Sequence, residues 1–261
     1  MPVPDLAGDL DLLVNAARDA GVIAMRYFRR SPQVWDKGDG AGPVSEADLA
    51  VNTMLATRLR TARPDYGWLS EESPDSAARL SSQRCFIVDP IDGTRTFIDG
   101  QDSFAHSLAV VEAGEVIAAA VYLPAKNRMY SAHATSDAYL NGQPIRASLQ
   151  AQVAGATALT SKPNMLAAHW PGGVPDLRRS FRPSLAYRLC LVAQGRFDSM
   201  FAFRPTWEWD IAAGALIATR AGATVSDAKG AALRFNAPEP RTPGVIVAAP
   251  ALHSALIARL G

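Results

Sequence analysis

The densest chemistry in the sequence lies in CFIVDPIDGTRTFIDG, residues 85–100. An apolar run ends at Asp89, Pro90 is expected to stop a strand's hydrogen-bond ladder, and Asp92-Gly93 reads as a turn from which Thr94 starts a helix. Two carboxylates three residues apart at a strand's end can point into one space. Hard divalent cations such as Mg²⁺ take oxygen ligands of this kind and keep positions open for water and a phosphate oxygen. The N–H groups of Gly93 and Thr94 would face an anion at the start of the new helix. Read alone, the same string also serves as an acidic turn with Asp92 as a helix cap.

Two further segments place acids at element ends. LSEESP sets Glu71 and Glu72 directly after an apolar run. WEWDIAAGALIATRAG puts Asp210 in the first turn of a helix, where the dipole favours a carboxylate. Ala212, Ala213 and Gly214 would then let that helix approach a neighbour closely. Three element ends, each carrying an acid, are expected to form one site.

The elements that must position these acids follow from periodicity. Apolar residues at three- and four-residue spacing mark an amphipathic helix over Leu10–Phe28. A loop rich in glycine and charge follows, and a second helix then starts with Ser45 as N-cap and Asp48 at its third position, closed by Arg63-Pro64. From Tyr66 to Ile145 short β-type runs alternate with turns such as Ala113-Gly114 and Asn141-Gly142, the pattern of a mostly antiparallel sheet. Strands within AGATALTSK, RFDSMFAF and GVIVAA then alternate with helices in SLAYRLCLVAQG, DIAAGALIATRAG and PALHSALIARL, the first two stopped by Gly195 and Gly222. The expected fold class is α+β, with a smaller mixed C-terminal α/β part. The polar stretch Ala147–Gly155 suggests a division into residues 1–150 and 151–261.

DPIDGTRTF, EES and WDIAAGALIATRAGA together resemble the signature segments of the inositol monophosphatase superfamily, and GPVSEAD and PSLAYRLCLVAQG extend the resemblance over nearly the whole chain. It implies a layered αβαβα sandwich and a Mg²⁺-dependent, lithium-sensitive phosphomonoesterase acting on a small phosphorylated substrate. Carried over by motif, Glu71, Asp89 and the carbonyl of Ile91 would bind one Mg²⁺. Asp89, Asp92 and Asp210 would bind a second, and Glu71 through waters would help hold a third. Asp48 matches an acid that assists there. Thr94 would accept and pass on the proton of a metal-bound water, with Asp48 or Glu71 as partner. Asp92, Gly93, Thr94 and Ser184 would line the substrate. A homodimer is expected.

Departures within the chain bear on specificity. The inositol enzymes carry an acid seven positions before the helix aspartate, where it binds sugar hydroxyls; here that position is Phe203. A ring cannot accept those hydrogen bonds but can line a pocket for a base. LSEESPD, DGTRTFI, RMYSA, RLCLVAQG and FRPT resemble CysQ-type 3′(2′),5′-bisphosphate nucleotidases, and Arg188 stands where those tend to be basic. Arg188 or Lys162 would then pair with a second phosphate, although a solvated helix face is an equal account of Arg188. Thr96 and Pro183-Ser184 depart from the nucleotidase pattern and keep inositol phosphate, fructose bisphosphate and histidinol phosphate open as substrates.

Composition excludes less. With 26 Lys+Arg against 25 Asp+Glu, there is no global electrostatic case for nucleic acid or an anionic membrane as partner. No leader-like segment or bilayer-length apolar run is present, so the cytoplasm is the expected compartment. Cys85 and Cys190 sit in apolar stretches and read as buried thiols. The four histidines show no ligand spacing, which argues against zinc. Trp207 and Trp209 read as packing around a helix start rather than as a stacking platform for a base, and Arg178, Arg179 and Arg182 as a solvated loop, with a collar for an anionic substrate as the close alternative. A non-catalytic regulator that kept the fold would be expected to have lost an acid or the threonine, and Glu71, Asp89, Asp92, Thr94 and Asp210 are all present.

Overall fold

The computed structural model describes residues 5–38 and 42–260; the middle of the glycine-rich loop, residues 39–41, lies outside them. Helix α1 (Leu6–Tyr27) begins before the periodic apolar residues do, because Asp5 caps it by accepting the Gly8 N–H at 2.8 Å. Strands β1 (Val34–Asp36) and β2 (Pro43–Ser45) form a hairpin that delivers the chain into α2 (Glu46–Ala62), with Ser45 as N-cap and Asp48 in the first turn as expected.

A seven-stranded sheet follows: β3 (Gly67–Ser70), β4 (Arg84–Asp92), β5 (Ala105–Glu112), β6 (Glu115–Leu123), β7 (Arg128–His133), β8 (Ala138–Leu140) and β9 (Gln143–Ile145). The strands lie side by side in chain order, with β3 and β4 parallel and every other pair antiparallel. The short helix α3 (Thr94–Ile98) leaves the end of β4.

The second sheet is mixed. It runs in the order β11 (Arg178–Ser180), β10 (Thr157–Leu159), β12 (Ser199–Ala202), β16 (Val245–Ala248) and β14 (Thr224–Ser226). Helix α4 (Leu185–Ala193) enters β12, and β13 (Thr206–Trp207) enters α5 (Glu208–Arg220) after pairing with β15 (Arg241–Thr242). Helix α6 (Pro250–Leu260) ends the described chain. The strands β9, β11, β13 and β15 are only two or three residues long and carry little alternation of their own.

Alternation in the central strands explains the layering. Phe86 and Val88 of β4 pack against α1 and α2, through Leu13, Ala20, Val51 and Leu55, while Cys85 and Ile87 face the opposite core with α4 and α5. Likewise Val245 and Val247 of β16 join that inner core, whereas Ile246 and Ala248 face α6 through Leu252 and Leu256. Both strands are buried on both faces, so they read as continuous apolar runs. The result is helices, sheet, helices, sheet, helix. Both thiols are buried and free.

Candidate metal centre

In a regular strand, residues three apart point to opposite faces, which would separate Asp89 from Asp92. Pairing of β4 with β5 resolves this. Asp89 lies opposite Ser107 and Asp92 opposite Ala105, so three steps on β4 match two on β5, and the extra residue is a bulge at Pro90-Ile91. Pro90 therefore does not end the strand, as its type alone suggested. Its carbonyl instead meets Nδ1 of the buried His106 at 2.5 Å. The bulge turns both carboxylates to one side, and Gly93 follows at φ 98°, a left-handed conformation that glycine adopts without strain.

Asp210 arrives from the other side. Helices α4 and α5 cross so closely that a Cβ on Gly214 would lie 2.7 Å from Cβ of Leu189, which is the close approach the small residues suggested. Ser107 Oγ donates to the Trp209 carbonyl at 3.0 Å, tying the start of α5 to the sheet. Asp89, Asp92 and Asp210 consequently offer carboxylate oxygens that all lie within 4.8 Å of one another. Burial, reinforced by mutual repulsion, raises the pKa of Asp89 and Asp210 well above the usual carboxylate range. Asp92 is also raised by burial, against the hydrogen bonds it accepts.

Those bonds give Asp92 a second task. Its Oδ2 accepts from the Ser184 hydroxyl and the Ala186 N–H, both at 2.6 Å, and so anchors the start of α4. Asp89 Oδ1, by contrast, is buried with no partner among the described residues. An orphaned buried carboxylate oxygen beside two others is the donor set a hard divalent cation fits, being all oxygen and negatively charged.

Around this trio the other expected residues take distinct places. Thr94 Oγ1 lies 2.9 Å from Asp48 Oδ1 and 3.1 Å from the Ile91 carbonyl. Asp48 Oδ2 accepts from the Ser45 N–H at 2.9 Å and the Ser45 hydroxyl at 2.5 Å. Burial raises the Asp48 pKa, with these bonds opposing. Glu71 is near enough for its charge to act on Asp89 and Asp210, and its Oε1 accepts from Lys37 Nζ at 2.8 Å. The same ammonium reaches Glu72 Oε1 at 2.5 Å, and Glu72 is raised to about 7, chiefly by burial. Nothing in the sequence of the Lys37 loop marked that lysine as a partner of the acids. Ser45 was legible only as a cap.

The specificity residues divide. Arg188 is buried rather than solvated: its Nε donates to the Arg182 carbonyl at 2.5 Å, its Nη2 donates to the Pro183 carbonyl at 3.0 Å, and its charge acts on Asp92 and Asp210. Phe203 is partly exposed and belongs to an aromatic group with Phe201, Trp170 and His169. Lys162 stands exposed on the turn Lys162–Met165. Trp207 and Trp209 stack at 4.5 Å, with the Arg241 guanidinium 3.7 Å over Trp207, as packing around the head of α5 requires. Arg178 and Arg179 lie on strand β11 rather than in a loop and donate to the carbonyls of Gly155 and Thr160, while Arg182 donates to the adjacent Phe181 carbonyl.

An acidic trio with Asp89 and Asp92 buried at the end of β4 and Asp210 half-buried in the first turn of α5, flanked by a threonine and further acids, fits the class to which the comparisons assign the chain: a metal-dependent phosphomonoesterase. The chain belongs to the inositol monophosphatase family, whose model matches residues 5–261. It is 34% identical over 231 residues to the 3′(2′),5′-bisphosphate nucleotidase CysQ of Escherichia coli (strain K12), covering 87% of this chain and 93% of that one. It is also 34% identical over 233 residues to the inositol-1-monophosphatase of Rhizobium meliloti (strain 1021), covering 85% and 86%. Among solved structures, a Thermotoga maritima IMPase superposes with a TM-score of 0.84 at 29% identity, covering 97% of this chain and 96% of that one. The extragenic suppressor protein suhB of Bartonella henselae gives 0.82 at 27%, covering 97% and 98%. Among the described residues, no helix is long and apolar enough to cross a membrane.

Proposed function

We propose that the protein is a Mg²⁺-dependent 3′(2′),5′-bisphosphate nucleotidase, converting 3′-phosphoadenosine 5′-phosphate to AMP. Phe203 carries this reading. Where the inositol enzymes place an acid for sugar hydroxyls, this chain offers a partly exposed ring beside His169, a flat apolar surface suited to a base. Arg188 and Lys162 are the cations that the resemblance offers for the second phosphate.

In this reading Glu71, Asp89, the Ile91 carbonyl, Asp92 and Asp210 hold two or three Mg²⁺ ions. When bound, these ions polarise phosphoryl oxygens and lower the pKa of water. The chain's own part is proton handling. Thr94, donating to Asp48 Oδ1, keeps lone pairs free to receive a proton from the attacking water while its own proton passes to Asp48. Burial makes Asp48 a stronger base than a free carboxylate, and Ser45 fixes its other oxygen. Gly93 and Thr94 would offer backbone N–H groups to the phosphate oxygens, and attack is in line, without a phosphoenzyme. The homodimer and the cytoplasmic setting rest on the resemblance and on composition.

Equal identity to the Rhizobium meliloti enzyme supports inositol 1-phosphate as the second reading. Phosphate release with Mg²⁺ from adenosine 3′,5′-bisphosphate, inositol 1-phosphate, fructose 1,6-bisphosphate and histidinol phosphate separates them by kcat/KM. The bisphosphate nucleotide should lead. Preference for inositol 1-phosphate would overturn the nucleotidase reading, and no release from any of the four would favour a non-catalytic role.

A further inference from the structure

The nucleotidase reading requires a cation for the anion that does not react, and Arg188 is poorly placed to be it. Two of its donor groups are committed to the carbonyls of Arg182 and Pro183, its face is covered by Phe181 at 4.6 Å, and it is only 7% exposed. Its geometry is that of a strut under the loop before α4.

Arg204 differs on each count. It lies between Phe203 and Pro205 on the corner that joins β12 to β13, six residues before Asp210, and it is exposed. Among the described residues its guanidinium has no hydrogen-bond or ion-pair partner; only its backbone carbonyl is used, accepting from the buried Thr206 hydroxyl at 3.1 Å. The corner itself is fixed. Phe203 N–H reaches Asn164 Oδ1 at 3.4 Å, Asn164 is held by Thr160 and the Phe201 carbonyl, and the Phe203 ring packs on Phe201, Trp170 and His169.

The course of the chain places the residue. From Arg204 the chain runs through β13 directly into α5, whose first turn carries Asp210, and the Arg204 charge also acts on Asp210 and on Arg188. Arg204 thus stands just ahead of the head of α5, next in sequence to Phe203.

We infer that Arg204 is the specificity-determining residue that pairs with the second, non-reacting phosphate of a bisphosphorylated substrate. The inference rests on the nucleotidase reading. A planar guanidinium whose donors have no partner among the described residues, exposed on a hydrogen-bonded corner, suits a phosphate. Phe203 and Arg204 then act together, the ring taking the apolar part of the leaving group and the cation its charge.

The test compares adenosine 3′,5′-bisphosphate with adenosine 3′-monophosphate, which carry the same ester and differ in the second anion. In the full-length Mg²⁺-loaded protein, Arg204→Met should cut kcat/KM for the bisphosphate about tenfold more than for the monophosphate, mainly through KM. Arg204→Lys should restore part of that ratio, and the wild-type ratio should fall with added salt. Circular dichroism and thermal melting establish that the variants are folded. Equal losses on both substrates, or an unchanged ratio, would overturn the role of Arg204 and leave the nucleotidase reading intact. A wild-type enzyme that prefers the monophosphate would overturn both.

Discussion

Thr94 and Asp48, 46 residues apart in sequence, are joined by a 2.9 Å hydrogen bond, and Asp48 is itself held from behind by Ser45. The sequence left Asp48 and Glu71 as alternatives for the partner of Thr94. The hydrogen bond goes to Asp48, while the nearest cation to Glu71 is Lys37 at 2.8 Å.

If the pair relays a proton, Thr94→Ala and Asp48→Asn should each lower kcat by roughly 10²- to 10⁴-fold. The double variant should be about as slow as the slower single, because residues acting as a unit do not contribute additively. Fully multiplicative losses in a double-mutant cycle would sink the relay.

Metal dependence should show in stability as well as in rate. Asp89, Asp92 and Asp210 have pKa values raised by burial, so the metal-free native state binds protons more tightly than the unfolded chain does. Their contribution to stability is therefore present at low pH and lost as pH rises through the folded pKa values. A divalent cation competes with those protons. The increase in Tm on replacing EDTA by Mg²⁺ should accordingly grow as pH rises toward neutrality. An increment that is flat or shrinks with pH would remove the trio as the metal site.

Asp92 carries two separable tasks. Asp92→Asn keeps an oxygen for Ser184 and Ala186 but loses the charge, so kcat should fall by orders of magnitude with the fold intact. Asp92→Ala also frees the head of α4 and should cost about 1–3 kcal/mol in a urea melt. Near-normal turnover of the asparagine variant would take Asp92 out of the metal set.

Gly214 tests the crossing that delivers Asp210. Its substitution by alanine places a Cβ 2.7 Å from that of Leu189, so the helices must separate. A loss of about 1–3 kcal/mol is expected, with reduced kcat as Asp210 shifts. An alanine variant as stable and as active as wild type would show that the crossing tolerates a wider gap.

Much of the frame was legible because local chemistry fixes it. Helical spacing from Leu10 and the Ser45 cap marked α1 and α2, and the apolar runs between Tyr66 and Ile145 marked the sheet. The site's acids were legible as types at element ends. Arg188 was not, because a basic residue in an apolar helix gives no sign of which carbonyls will claim it. Arg204 gave no signal for a related reason: an exposed arginine in a loop acquires meaning only from what stands near it.

The sequence by itself determined that Asp89, Asp92 and Asp210 would stand at the ends of regular elements, since strand and helix periodicities are properties of neighbouring residues. Whether the three converge was decided by tertiary structure. Asp89 and Asp92 share a side only because one extra residue of β4 is accommodated against β5. Asp210 joins them only because Gly214 admits Leu189, and Asp48 meets Thr94 only through the packing of α2 beside the end of β4. Strand register and helix approach are set by partners remote in sequence, and no local pattern encodes them.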